Sequence, residues 1–363
     1  MVDITTLGGQ RIDERTFQKL LEHIKLNITE KYAFPPKIIS LEGITIATLG
    51  NFSASVGKPK SKKTFNVSAI VAAALSGKDI LNYKANLPEG RRRILYIDTE
   101  QSKYHCHKVM ERIFKLAGLP LDKDNDLIDF FALREYTPEQ RRDIIALALS
   151  AKHDYGLVIV DGIRDLLRDI NNPSEALDII NDLMRWSSYY NLHIHTVLHL
   201  NKGDDNTRGH IGTELNNKAE TVLQITKNLE DPNMSEVKAM FIRDKEFAPF
   251  AFRINEEGLP QYVEGYVAEL RKDKKMHFSR LTEEQHREAI ESVIGDNTPL
   301  GYNKMLVILQ EGYSNIGYSR GRNTIIQLLK YIINMGYIIK VDKRYQYVPK
   351  VSEQTNNTTL PEV

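Results

Sequence analysis

Lysine and threonine side chains follow an apolar stretch in the way that a phosphate-binding loop requires. Residues 52–65 read Phe-Ser-Ala-Ser-Val-Gly-Lys-Pro-Lys-Ser-Lys-Lys-Thr-Phe, which predicts the exit of a strand, a tight basic loop and the start of a helix. Such a loop aims backbone N–H groups and the positive end of the helix at phosphate oxygens. Lys63 would then reach the outer phosphates of a nucleotide, and Thr64 would coordinate a magnesium ion.

The loop departs from the usual pattern at one position. The pattern is Gly, four residues, Gly, Lys and Ser or Thr, whereas here Gly57 is followed by four residues, Lys62, Lys63 and Thr64. A glycine at this point lets the backbone approach the phosphates closely. Read alone, the segment fits a solvated basic turn equally well. The candidate nucleotide contacts are Gly57, Lys58, Ser61, Lys62, Lys63 and Thr64.

Composition and charge exclude several classes of protein. The 363 residues are 41% hydrophobic and 27% charged, with 49 basic against 48 acidic residues, so any basic surface must be local. The N-terminus shows no basic and apolar signal segment, and no apolar run approaches the roughly 20 residues of a membrane helix. The single cysteine, Cys106, excludes an internal disulfide. We expect a cytoplasmic protein without membrane contact.

Strands and helices alternate around the loop. After a helix over 13–31, helical and β-type patterns predict strands over 44–49, 94–97, 128–133, 155–160, 193–200, 219–225, 237–242 and 250–254. Helices lie between most of them, the first over 64–75. This alternation predicts an α/β fold with a mostly parallel sheet covered on both faces.

A second folded unit follows a charged stretch. Helix signals near 282, 302–311 and 320–335 precede a β-hairpin over 337–348, which together predict a winged helix-turn-helix. The expected segments are a helical extension over 1–37, an α/β domain over 38–265, a charged linker over 266–281, the second unit over 282–350 and a disordered tail over 351–363.

Four strand ends carry groups suited to nucleotide hydrolysis. The first leads to Lys63 and Thr64, and the others to Glu100, Asp161 and His199. In an open parallel sheet, ligands bind beyond the carboxyl ends of the strands. Each residue alone has an ordinary structural explanation, such as a turn aspartate or a hydrogen-bonded histidine. Together they predict a nucleotide-hydrolysis site.

This order of motifs resembles the RecA-like P-loop ATPases, and within them the RepA-type hexameric replicative helicases of plasmids and mobile elements. Ile-Asp-Thr-Glu at 97–100 matches the strand with the catalytic carboxylate, and Leu-Val-Ile-Val-Asp at 157–161 matches the Walker B strand. His199 matches the polar sensor position. The resemblance implies ATP and Mg²⁺ as ligands, with Asp161 and Thr64 at the metal and Glu100 orienting the attacking water.

The resemblance also implies an oligomer that holds DNA. Rings of this group complete the site with a basic residue of the neighbouring subunit in a Lys-x-Arg arrangement, and Arg243-Asp244-Lys245 has these charges in reverse order. It therefore implies a homo-oligomer, a hexamer in this family, with Arg243 or Lys245 as the catalytic finger. Lys202 and Arg208 lie where such rings contact single-stranded DNA.

The second unit has a local excess of positive charge. Between 319 and 350 there are seven basic residues and one acidic residue. In a winged helix, Arg320 and Arg322 would approach the major groove of duplex DNA, while Lys343 and Arg344 would touch phosphate or the minor groove. The alternative is a protein-binding module with a solvated basic face.

The sequence thus predicts an ATP-dependent DNA helicase or translocase that acts as an oligomeric ring in replication or mobilisation of a plasmid or mobile element. The alternative is a DNA-binding initiator or assembly protein that binds nucleotide with little or no hydrolysis. Lys62 in place of glycine favours the alternative. Recombination and defence fit the same motifs.

Overall fold

The computed structural model describes residues 6–7, 10–201, 207, 209–267 and 278–350. Contacts divide the chain into two units, Met1–Ala268 and Glu269–Val363. Lys202 and Arg208, most of the expected linker and the expected tail lie outside the described residues. In the described part of the chain, no helix combines the length and apolar character needed to cross a membrane.

The strands of the first unit are β1 (Thr6–Leu7), β2 (Gln10–Arg11), β3 (Lys37–Leu41), β4 (Ile44–Thr48), β5 (Phe52–Gly57), β6 (Tyr83–Ala85), β7 (Arg93–Asp98), β8 (Ile128–Ala132), β9 (Tyr155–Asp161), β10 (His193–His199), β11 (Thr221–Lys227), β12 (Met234–Ile242), β13 (Phe250–Ile254) and β14 (Pro260–Tyr262). Its α-helices are α1 (Glu14–Ile24), α2 (Lys63–Ser76), α3 (Lys103–Ala117), α4 (Pro138–Ala151), α5 (Pro173–Tyr189) and α6 (Gly209–Lys218).

One large sheet organises this unit, in the order β14-β13-β12-β11-β5-β10-β9-β7-β8. The strands from β11 to β8 in this order are parallel, and β12, β13 and β14 add an antiparallel edge. One apolar core lies between the sheet and helices α2 and α3. A second core, with α4, α5 and α6, covers the other face. The predicted α/β class with a largely parallel sheet is confirmed.

The strand that leads into the basic loop is β5, and not the strand predicted over 44–49. That segment forms β4 in a small separate sheet with β3 and β6. The apolar pattern misses β5 because Ser53 and Ser55 interrupt it. Both serines are buried, and their hydroxyls contact the imidazoles of His193 and His195.

One predicted helix is shorter in the structure, and two elements had no predicted bounds. Helix α1 ends at Ile24 rather than near 31, because Tyr32 accepts a hydrogen bond from the Asn27 backbone and closes a turn. Strand β6, whose Tyr83 is buried, lies between the helix predicted over 64–75 and the strand predicted over 94–97. Helix α6 (Gly209–Lys218) lies between the strands predicted over 193–200 and 219–225.

The second unit consists of α7 (Glu283–Ile294), α8 (Tyr302–Asn315), α9 (Arg322–Asn334), β15 (Ile338–Val341) and β16 (Arg344–Tyr347). The predicted hairpin is confirmed: β15 and β16 are antiparallel. Asp342 and Lys343 form its turn, with φ of 43° and 66°, as two-residue hairpin turns require. Phe278 and Leu281, at the end of the expected linker, pack in the core of this unit.

Candidate nucleotide-binding site

The four strand ends predicted to converge do so. Register places His199 beside Gly57, and Asp161 beside both Asp98 and Val197. A cavity of about 300 Å³ opens at this edge of the sheet. Its lining includes Lys63, Thr64, Glu100, Asp161 and His199.

Lys63 is held inside the loop by three contacts. Its ammonium donates to the carbonyl oxygens of Gly57 at 3.0 Å and Lys58 at 3.2 Å, and to Nδ1 of His199 at 2.9 Å. Burial lowers the pKa of Lys63 to about 8. The ammonium therefore remains mostly charged at neutral pH, but it is poorly solvated and would gain from an anionic ligand.

His199 lies between the loop lysine and Glu100. Because an ammonium only donates, Nδ1 of His199 accepts from Lys63, and in the neutral ring Nε2 carries the proton. This Nε2 lies 3.7 Å from Oε1 of Glu100. The contact with His199 is the main cause that lowers the pKa of Glu100. Glu100 is therefore an ionised carboxylate at neutral pH.

Thr64 and Asp161 form a second polar pair. The Thr64 hydroxyl and the Tyr96 hydroxyl each donate to Oδ2 of Asp161 at 2.9 Å. Burial, and next the charge of Asp98, raise the pKa of Asp161 to about 6. Asp98 itself accepts hydrogen bonds from the backbone N–H groups of Glu100 and Gln101, which fixes the turn after β7.

The side-chain oxygens of Thr64 and Asp161 fit Mg²⁺, which prefers hard oxygen ligands. This ion usually binds only one or two protein oxygens, and its other ligands are phosphate and water. Among the residues that the structure describes, no group of three or more His, Cys, Asp or Glu side chains is arranged to hold a metal ion. Thr64 and Asp161 would hold such an ion together with the phosphates of a nucleotide.

The backbone at Lys62 lies in the left-handed region, which favours glycine. Lys62 has φ of 68° at the N-cap of α2, in the left-handed region that costs most residues about 1–2 kcal/mol. Its ammonium donates to the carbonyl oxygen of Pro232, in the turn between β11 and β12, at 2.6 Å. The departure from the motif thus lies in the side chain, which points to a neighbouring turn.

Gly57 and Ser61 complete the loop. A Cβ on Gly57 would lie 2.4 Å from the Ile225 carbonyl oxygen and 2.4 Å from Oγ of Ser61, so only glycine fits there. Within the described residues, the buried Ser61 hydroxyl has no hydrogen-bond partner. It is an unused donor in the loop, as a phosphate-binding role requires.

The sequence reasoning missed several residues that line the same cavity: Phe65, His105, Lys108, Arg112 and Arg164. The Arg112 guanidinium stacks 3.7 Å from the ring centre of Phe65. Spacing could have found part of this set, because His105, Lys108 and Arg112 recur at intervals of three and four residues on α3 and therefore share one helix face.

Arg243 and Lys245 do not join the cavity of their own chain. They follow β12, whose last residue Ile242 pairs with Thr221, and Thr221 pairs with Ser53 near the start of β5. The loop with Lys63 follows the other end of β5. Arg243 donates to the Lys218 carbonyl oxygen at 3.1 Å. Both cations therefore lie near the amino ends of the parallel strands, whereas the cavity lies at their carboxyl ends.

The basic residues predicted in the second unit lie on its surface and around its hairpin. Arg322, Lys343 and Arg344 are exposed, and Arg320 is half-buried with its guanidinium 3.8 Å from the ring centre of Tyr318. Arg322 donates to the side-chain oxygen of Asn303 at 2.9 Å. This contact joins the starts of α9 and α8.

Part of the first unit is similar in sequence to a known protein family. Residues 41–205 match the family model described as an AAA domain. The matched segment contains β4 to β10, the loop after β5 and helices α2 to α5. The crystal structure of the RadB recombinase aligns with 58% of this chain and 90% of its own, at 20% identity and a TM-score of 0.42. A comparison with curated proteins gave no match.

Proposed function

We propose that this protein is a DNA-stimulated ATPase of helicase or translocase type, which acts as an oligomeric ring in the cytoplasm during replication or mobilisation of a plasmid or another mobile element. The observation that carries the proposal is the convergence of the loop lysine, a hydroxyl, two carboxylates and a histidine in one cavity. These residues are Lys63, Thr64, Glu100, Asp161 and His199.

Each residue has a role that its contacts support. The Lys63 ammonium exchanges its hydrogen bonds to the Gly57 and Lys58 carbonyl oxygens for contacts with the outer phosphates. The backbone N–H groups of the loop bind the same phosphates. Thr64 and Asp161 would hold Mg²⁺, which neutralises charge on the phosphates. Glu100, kept ionised beside His199, orients and polarises the attacking water. His199 links the phosphate-binding lysine to this carboxylate.

The position of Arg243 and Lys245, at the strand ends opposite the cavity, supports an oligomer. A basic finger that stabilises transition-state charge in a neighbouring site must lie away from the cavity of its own chain. The test is subunit mixing. Arg243→Ala and Lys63→Ala proteins should each be inactive, whereas their mixture should regain turnover, because some sites receive an intact lysine and a neighbour's intact Arg243. A mixture as inactive as either variant would refute the finger role.

DNA contacts are proposed for both units. In the first unit, Lys202 and Arg208 would bind single-stranded DNA, a proposal that rests on sequence alone. In the second unit, three helices followed by a basic hairpin support a winged helix that binds duplex DNA through Arg320, Arg322, Lys343 and Arg344. Loss of duplex binding in an Arg322→Ala, Lys343→Ala double variant, with unchanged ATPase activity, is the expected result. Unchanged duplex binding would refute it.

The proposed activity is tested by steady-state ATP hydrolysis with magnesium, with and without single-stranded DNA. We expect DNA-stimulated turnover that is lost in Lys63→Ala and retained in Lys19→Ala, which removes an exposed lysine of α1. Absence of turnover in the wild type would refute the enzyme.

A second candidate function is nucleotide binding without hydrolysis, in an initiator or assembly protein. The observation that favours it is Lys62, whose left-handed backbone and contact with Pro232 place a long cationic side chain at the loop position usually held by glycine. ATP binding without turnover in the same assay would establish this alternative.

A further inference from the structure

Helix α9 in the second unit has one buried and one exposed face. Its buried residues, Ile325, Leu328, Leu329 and Ile332, pack in the core of the unit. On the opposite face, exposed polar residues recur at intervals of four, three and four positions, which places them in one stripe along the helix. This stripe consists of Asn323, Gln327, Lys330 and Asn334.

The stripe is dominated by amides. Within the described residues, the side chains of Asn323, Gln327 and Asn334 have no hydrogen-bond partner, so each offers a donor and an acceptor to a ligand. Asparagine is a weak helix former, and two asparagines on an exposed face do not serve helix stability. The sequence of α9 contains no acidic residue.

Helix α7 of the same unit has the opposite character. Its exposed positions include four carboxylates, Glu283, Glu284, Glu288 and Glu291. Such a face would be repelled by DNA phosphates, whereas the face of α9 would not. Helix α8 exposes one lysine and one carboxylate, Lys304 and Glu311. Among these three helices α9 is the one without an acidic residue, so its face is the one best suited to a DNA groove.

Exposed cations lie at the start of α9 and in the hairpin. Arg322 precedes Asn323 at the start of α9 and is anchored by Asn303. Lys343 and Arg344 are exposed at the hairpin. Contacts from such cations to phosphate fix the position of a protein on the duplex, while hydrogen bonds to base edges specify the sequence. The unit thus carries both kinds of group, and the amides are the groups able to read bases.

We infer that α9 reads base edges in the major groove, with Asn323 and Gln327 selecting adenine, so that the second unit binds a particular DNA sequence. Asn and Gln pair in a bidentate manner with N6 and N7 of adenine. The N-terminal residues of a recognition helix make the base contacts, which assigns the readout to these two amides. The inference rests on the duplex binding proposed above and adds its specificity.

The spacing of the two amides sets the expected site. Four residues along a helix span about 6 Å, and base pairs are stacked about 3.4 Å apart. Because a recognition helix lies in the groove at an angle to the DNA axis, residues three or four apart contact successive bases. The preferred sequence should therefore contain adenines at two neighbouring base pairs.

The test is selection of duplexes from a randomised pool by the full chain, followed by affinity measurements on the selected sequence and its base substitutions. We expect an enriched motif with the two adenines. Asn323→Ala and Gln327→Ala should each reduce discrimination at one adenine by about 5- to 150-fold. Binding to unrelated duplex and its salt dependence should stay unchanged.

Two further variants make the experiment discriminating. Asn334→Ala removes the same amide at the C-terminal end of the stripe and should leave the motif intact. Arg344→Ala should weaken all duplexes alike and reduce the salt slope by about one. Alanine favours the helix, so circular dichroism of the α9 variants should match the wild type.

The outcomes separate this inference from the proposed function. Duplex binding without an enriched motif, or an enriched motif unaffected by both amide substitutions, would overturn base readout while leaving DNA binding in place. Absence of duplex binding would overturn both and would indicate that the amide stripe contacts a protein partner or solvent only.

Discussion

A buried hydrogen-bond chain between β5 and β10 makes the stability of the first unit depend on pH. His193 Nδ1 lies 2.8 Å from the Thr48 carbonyl oxygen, which can only accept, so Nδ1 carries the proton. Nε2 of His193 then accepts from the Ser53 hydroxyl at 2.7 Å. Ser53 in turn accepts from Nδ1 of His195 at 2.7 Å, and Nε2 of His195 accepts from Ser55 at 2.9 Å. Both rings are therefore neutral.

Acid should destabilise this arrangement. Burial lowers the pKa of His193 to about 4 and that of His195 to about 3, from about 6.5 in an unfolded chain. Because the unfolded state binds more protons, stability falls as pH drops below 6.5 toward these values. At pH 5 the loss is about 2 kcal/mol per histidine.

Carboxyl groups with raised pKa values oppose this loss. Burial raises the pKa of Asp98, Asp161 and Glu220. The pKa of Asp161 is raised to about 6, so the folded state takes up a proton there first and gains about 1 kcal/mol between pH 7 and pH 5. We therefore expect a net loss of about 2 to 3 kcal/mol in the free energy of unfolding from His193, His195 and Asp161 together, which Asp98 and Glu220 reduce further.

The assay is urea unfolding at pH 7 and pH 5, followed by fluorescence of Trp186. This is the single tryptophan of the chain and is buried in the first unit, so the signal reports that unit alone. Imidazole ¹⁵N shifts over the same range give an independent readout. Equal stability at both pH values, or titration of His193 or His195 near pH 6.5, would refute the reasoning.

Three further predictions concern the loop and the site. Gly57→Ala should lower the Trp186-reported stability by about 1–3 kcal/mol through its clash with Ile225, whereas Lys19→Ala, at an exposed position of α1 in the same unit, should not; equal effects would contradict the packing argument. Lys62→Gly should keep turnover within about tenfold of the wild type, because the backbone already has φ of 68°; a larger loss would give the lysine side chain a direct role. The pH profile of kcat/KM should be bell-shaped, falling below about 6 as Asp161 is protonated and above about 8 as Lys63 loses its proton; a flat profile between pH 5 and 9 would contradict these roles.

The parts of the fold that follow from local pattern could be predicted from sequence. Long apolar runs that end in a polar residue identified the strands before Glu100, Asp161 and His199. The rule that ligands bind at carboxyl strand ends then placed these residues together. The β-rich runs on either side of a charged turn likewise predicted the hairpin of the second unit.

Features that depend on long-range contacts could not be predicted. Ser53 and Ser55 look like loop residues until His193 and His195, about 140 positions later, supply their partners. The pattern of the loop marks Lys62 as a defect, but its backbone conformation shows only in the fold. The cavity residues of α3, such as Arg112, can be assigned to the site only when the packing of α3 beside α2 is known.

The measurement that tests the central claim most directly is single-turnover ATP hydrolysis by Glu100→Gln, with ATP affinity measured on the same protein and Glu135→Gln, an exposed carboxylate outside the cavity, as control. If Glu100 activates water in the cavity built by Lys63, Thr64, Asp161 and His199, hydrolysis should fall by about 10²–10⁴-fold while affinity changes little. Hydrolysis by Glu100→Gln at the wild-type rate would contradict the account.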